Sequence, residues 1–274
     1  MPIDMQKIHL ITRADDAGSC RSANEAILEA VEAGITKNVS FMACGPEIEH
    51  AVELLGGRDD IAYGFHVCLN AEWEDVKWGP IRGFSIAADK DGYFLPFPND
   101  TKVRVENEIR MGEEEWKLND VRFQFDVDDY YMEIQSEIRV QLDYLKELGL
   151  PISYIDEHMG ISWIGFGIRE EIIGLCERDD LVYRPDISSL PNVDFEGEDI
   201  SCLDARFKAT NLNQYVWVTH PGKDEPDMQN FNLVGKPKGV VAKERDAERR
   251  LLTDPRLPEL FKKWNVKVVR YDQI

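Results

Sequence analysis

Short apolar, β-branched runs alternate with helical stripes along most of this chain, and that alternation restricts its fold more than any other feature. Ile8 to Thr12 reads as a strand covered on both faces. Ala23, Ala26, Ile27, Ala30 and Val31 then form an amphipathic helical stripe. Ser22-Ala23-Asn24-Glu25 has capping-box spacing at its start, and Gly34 stands in the stop position. Val39 to Ala43 predicts a second strand. Pro46 opens a short helix that Gly56-Gly57 closes, and Ala62 to Leu69, interrupted by Gly64, predicts a third strand. Further on, Ile134, Ile138, Leu142, Leu145 and Leu148 mark a long helix ended by Gly149 and Pro151. Ser153 to Asp156, Leu181 to Arg184, Tyr215 to Thr219 and Lys267 to Arg270 read as strands. Helices are expected over Gly167 to Arg178 and Lys243 to Leu252, with Pro185 to about Lys208 irregular. Such alternation argues a parallel α/β sheet or barrel, and a strand count just short of eight favours a distorted barrel.

The rhythm breaks from about Asn70 to Asp128. This stretch holds Trp73, Trp78, Trp116, the acidic run Glu113-Glu114-Glu115 and a turn signal at Asp91-Gly92. A structureless loop that long is improbable in a compact domain, so it reads as an insertion with a small fold of its own over one end of the core. The 274 residues suit one barrel-sized domain.

Fifty-two acidic against 32 basic residues leave a net charge of −20, which repels phosphate backbones and argues against a nucleic-acid partner. No run approaches a membrane span, and Met1 to Lys7 lacks the pattern of a signal peptide; a cytoplasmic location is the expectation. The five cysteines show neither zinc-motif nor redox spacing, and Cys44 and Cys68 read as small buried hydrophobes.

The residues able to do chemistry fall at strand ends. Asp15 and Asp16 end the first strand, His66 lies late in the third, Asp156 and His158 end the next, and His220 follows Tyr215 to Thr219. Parallel strand ends share one face, so these side chains converge, with Arg184 expected close by. Paired carboxylates repel unless a cation sits between them. Two imidazoles and a carboxylate make a half-open site for a divalent cation. His9 and His50 lack this placement and read as structural.

Asp15-Asp16-Ala17-Gly18 with Asn24, Gly64-Phe65-His66, Asp156-Glu157-His158 and His220-Pro221-Gly222 occur in that order. The set, with Pro46, Asp91-Gly92 and the helix from Glu248 to Thr253, resembles the YdjC-like carbohydrate deacetylases, which include chito-oligosaccharide deacetylases. The resemblance implies a distorted (β/α) barrel of the NodB-like, glycoside hydrolase/deacetylase type and a homodimer. It implies Mg2+ or Zn2+ held by Asp16, His66 and His158, with Asp15 as general base and His220 as acid or electrostatic partner. Asp156 and Arg184 would support the site or meet substrate, and the substrate would be an acetylated amino sugar or short oligosaccharide. The chain departs from the family where Met159, Gly160 and Ile161 replace further histidines, and where Ala17 replaces an aromatic. A barrel glycosidase using Asp15 and Asp156 as paired carboxylates, and a sugar-binding module without turnover, are the alternative readings. The insertion's tryptophans either stack on sugar rings or form a local core.

Overall fold

The computed structural model describes residues 7–83, 85, 87–119, 127–194 and 199–274, with the side chains at 108–109, 111–119 and 127–130 left aside. Trp116, the Glu113-Glu114-Glu115 run and residues 120–126 therefore lie outside the described side chains or residues.

Strand β1 (Ile8–Ala17) is the spine of a parallel sheet ordered β4-β3-β2-β1-β5. Its Leu10, Ile11 and Ala14 are fully buried, as the apolar run requires. On one side it pairs with β5 (Gln214–Thr219), from His9 opposite Gln214 to Ala14 opposite Thr219. Two strands share its other side. The C-terminal β6 (Val266–Val269) lies along Ile8 to Ile11, and β2 (Asn38–Phe41) takes over at Arg13. Buried Asn38 manages the handover. Its amide donates to the carbonyls of Thr12 at 2.9 Å and Val269 at 3.1 Å, and its oxygen accepts from the Tyr271 N–H at 2.9 Å. Beyond β2 come β3 (Ala62–Val67) and β4 (Ile152–Glu157).

The gap between β4 and β5 is crossed by an irregular segment that turns at 185–187. Val182 bridges to Tyr154 at one end and Ser189 bridges to Val216 at the other. The predicted strand from Leu181 to Arg184 thus shrinks to a bridge, and the cylinder is a distorted barrel with an irregular seam.

Helices α1 (Arg21–Glu32), α2 (Ile48–Leu55), α4 (Val127–Glu147) and α5 (Ile168–Asp179) carry the crossovers between strands. Helix α3 (Pro98–Asn119) precedes α4 within the long stretch after β3, where an Ala88–Phe94 antiparallel bridge surrounds the Asp91-Gly92 turn. The α1 cap differs from its expected form. Cys20 is the N-cap, its Sγ accepting from the Ala23 N–H, while Ser22 turns its hydroxyl to Asp227. Two further differences lie near the C-terminus. Helix α6 (Ile200–Lys208) occupies part of the stretch expected to be irregular, capped by Asp199. Helix α7 (Val240–Leu252) is followed by a short α8 (Leu257–Lys263) before β6.

Gly64 is required by packing. A Cβ there would stand 2.2 Å from Cζ of Tyr154, a fully buried ring that itself lies 4.4 Å from the ring of Tyr271.

Candidate functional site

Consecutive strand residues point to opposite faces, yet Asp15 and Asp16 line the same cavity. A bulge makes this possible. Ala14 opposes Val39 and Ala17 opposes Phe41, so β1 uses one more residue than β2 over that interval. Asp16 also adopts φ 64°, a left-handed conformation that aspartate tolerates better than most residues. Both carboxylates are almost fully buried.

Each is held by its own arginine. The Arg13 guanidinium forks onto Asp15, with Nε and Nη2 donating to the two carboxylate oxygens at 2.6 and 2.7 Å. The same Nε lies 3.1 Å from Asp156, and Nη1 reaches the Tyr271 hydroxyl at 3.3 Å. Arg245 on α7 donates from Nη2 to Asp16 Oδ2 at 2.7 Å, and its guanidinium lies over the rings of Trp73 and Phe231. Burial raises the Asp16 carboxyl, but Arg245 and His158 outweigh it and hold Asp16 well below the usual carboxylate range.

The other oxygen, Asp16 Oδ1, is buried and has no hydrogen-bond partner. It lies 3.6 Å from His66 Nε2 and 3.4 Å from His158 Nδ1, and those two nitrogens are 3.3 Å apart. The far nitrogen of each ring meets a carboxylate. His66 Nδ1 is hydrogen-bonded to Asp156, and His158 Nε2 to Glu72 at 3.0 Å. Asp156 in turn accepts from Ser40, whose hydroxyl also meets Tyr154. His220 lines the same cavity, and its backbone N–H donates to Glu248. Burial pushes its imidazole below the ordinary value; Arg245 and His66 add to this and overcome Asp16 and Asp15.

The cavity measures about 870 Å3. Asp15, Asp16, His66, His158 and His220 all line it, and Asp156 lies directly behind His66. Arg184 is not brought to it. It pairs with Asp186 at 2.8 Å on the surface, because its segment is the seam rather than a strand aimed at the site. The position expected of Arg184 beside Asp15 is filled by Arg13, two residues back on the same strand. Trp73 and Trp78 are buried at 5% and 3% exposure. Trp73 packs edge-on against Phe231 and under Arg245, and Trp78 donates to the Asn70 carbonyl. The sequence pattern also passes over Arg13, Glu72 and Arg245. Arg13 carried a signal, a cation inside an otherwise apolar strand; Glu72 and Arg245 carried none.

The profile of the family described as YdjC-like protein matches residues 9–199. The chain belongs to the YdjC-like family. Among curated relatives, the carbohydrate deacetylase of Homo sapiens is 29% identical over 157 residues, 57% of this chain and 41% of that protein. The carbohydrate deacetylase of Vibrio cholerae serotype O1 (strain M66-2) is 25% identical over 150 residues, 54% of this chain and 48% of that protein. The matched stretch thus spans less than half of either relative. Among solved structures, a candidate cellobiose-phosphate cleavage protein of Enterococcus faecalis V583 superposes with a TM-score of 0.67 at 17% identity. That match covers 97% of this YdjC-like chain and 98% of the other, and it shows a shared fold. No described helix is long and apolar enough to cross a membrane.

Proposed function

We propose that this YdjC-like protein is a metal-dependent hydrolase that removes the N-acetyl group of an acetylated amino sugar or short oligosaccharide. The observation that carries the metal is the buried, unpartnered Asp16 Oδ1 facing two imidazole nitrogens. Donors about 2.0–2.2 Å from one ion stand no more than about 4.4 Å apart, and all three separations satisfy this. The hydrogen bonds from the far side of each histidine to Asp156 and Glu72 are those that orient metal-ligating imidazoles. Two nitrogens and one oxygen suit zinc more naturally than magnesium, the other ion that the family resemblance offers.

A divalent ion there supplies Lewis acidity, making water easier to deprotonate and polarising an acyl oxygen. Asp15, fixed by the Arg13 fork, takes the proton of the attacking water. The departing amine leaves poorly as an anion and takes up the proton that Asp15 has removed from the water, with His220 as the acid or electrostatic partner of that transfer. Water adds to the carbonyl carbon, the C–N bond breaks, and acetate and a free amine result.

A glycosidase reading fits less well. It needs two carboxyl groups about 5–9.5 Å apart flanking the scissile bond. Here Asp15 and Asp156 share Arg13, and with His66 they offer atoms all within 4.8 Å of one another. The resemblance also favours a homodimer, which sedimentation measures, and the chain length supports one barrel domain carrying the stretch at about 70–128 as an insertion.

Acetate release from N-acetylated chito-oligosaccharides, with zinc or magnesium supplied, tests the activity. Asp15→Asn should bind zinc as the unmodified protein does but lose turnover by about 10²–10⁴-fold. No acetate from any acetylated amino sugar refutes the reaction, and near-full activity of the Asn variant refutes the role of Asp15.

A further inference from the structure

Glu72 lies outside every motif noted in the sequence, in the loop that leaves β3, yet it meets the nitrogen of His158 that faces away from Asp16. A carboxylate can only accept, so a neutral His158 must carry its one proton on Nε2 to make this bond. The lone pair then sits on Nδ1, 3.4 Å from Asp16 Oδ1 and 3.3 Å from His66 Nε2. His66 is wired in the opposite sense. Its Nδ1 faces Asp156, and its Nε2 faces the centre.

The Glu72 carboxylate is itself fixed. It is 8% exposed, its Oε2 also lies 3.3 Å from the Asn70 amide, and the Trp78 indole N–H anchors the Asn70 carbonyl at 2.8 Å. The Trp78 ring stands edge-on to the His158 ring at 6.2 Å between centroids, which restricts how that imidazole can turn.

We propose that Glu72 is a positioning residue that locks the His158 ring so that Nδ1, rather than Nε2, is presented to the ion. The inference rests on the metal reading above and adds to it which atom binds and what holds that atom in place.

Zinc alone is the probe, measured by calorimetry, with long-range proton–nitrogen correlation spectra reporting the histidine tautomers. The spectra of zinc-loaded protein should show His158 protonated on Nε2 and bound through Nδ1, and His66 the reverse. Glu72→Ala should weaken zinc binding by about 10–100-fold, the usual effect of losing a carboxylate behind a ligating histidine. Glu72→Gln keeps an acceptor oxygen and should recover part of that loss, a rescue that simple loop packing would not give to zinc affinity. Zinc on Nε2 of His158, or unchanged zinc affinity in Glu72→Ala, overturns the proposal while leaving the metal site standing. If Glu72→Ala does not fold, the spectra of the unmodified protein and the affinity of Glu72→Gln decide. Unmodified protein that takes up no zinc overturns the metal reading itself, and this inference with it.

Discussion

Replacing Arg245 by Met removes the cation beside Asp16 while keeping an unbranched apolar stem against Trp73 and Phe231. Asp16 is 2% exposed, so its carboxylate would stand buried without its arginine. Breaking a buried pair from one side costs about 3–5 kcal/mol. At an unfolding entropy of about 2.1 cal/mol/K per residue, 274 residues give about 0.6 kcal/mol/K, so the melting temperature should fall by about 5–9 °C. The assay is calorimetry of metal-free protein in chelator. Asp16→Asn combined with Arg245→Met should recover part of the loss, because the amide no longer buries a charge. The pH dependence has a definite sign. Asp16 is held below its ordinary value of 3.8, so its contribution is present above that pH and is lost as pH falls through the native value. The deficit of the Met variant should therefore narrow below pH 3.8. A fall of less than about 2 °C, or strict additivity in the double variant, refutes the argument that Arg245 compensates Asp16.

Gly64→Ala should cost about 1–3 kcal/mol in urea unfolding, since its methyl would press on the Tyr154 ring; Tyr154→Val in the same chain should relieve part of it, and equal stability of Gly64→Ala and the unmodified protein refutes the packing argument. Glu137 is buried and its pKa is raised by that burial, against hydrogen bonds from Gln141 and the Ile81 and Arg82 amides. The protonated form is favoured in the native state, so stability should be fullest below pH 4.5 and decline as pH rises toward the raised native value. Glu137→Gln should flatten that decline in unfolding curves taken from pH 4 to 7, and an unaltered slope would show that another group produces it.

What was legible in the sequence is what depends on local pattern. The strands β1 to β5 announce themselves by apolar runs, and the chemistry at their ends follows because parallel strands share a direction. Asp15, Asp16, His66, His158 and His220 line one cavity for that reason. What escaped depends on distance in space. Arg245 reaches Asp16 across 229 positions and Glu72 meets His158 across 86 positions, and no periodicity encodes either partnership. Arg184 was misplaced because the run from Leu181 reads as a strand but makes one bridge and then bends away. Helix α6 was legible after the fact: Asp199 caps it, and Leu203 and Phe207 are its buried stripe. Trp73 and Trp78 illustrate an ambiguity that composition cannot resolve, since the same ring suits a sugar face or a core; here both are buried, and Trp73 alone of the two also lines the cavity.

The seam between β4 and β5 has a mechanical consequence. Elsewhere each stave is riveted to its neighbour along a run of paired residues, whereas the seam is held by the bridges at Val182 and Ser189, with a turn at 185–187 between them. A tube slit along one line has no fixed girth. It can widen by opening that turn, and His66 and Asp156, opposite each other on paired β3 and β4, keep their mutual spacing as it does so, while Asp16 rides on the β1 bulge. The seam is thus the line along which least pairing fixes the width of the wall, and it lies away from the paired positions of His66 and Asp156.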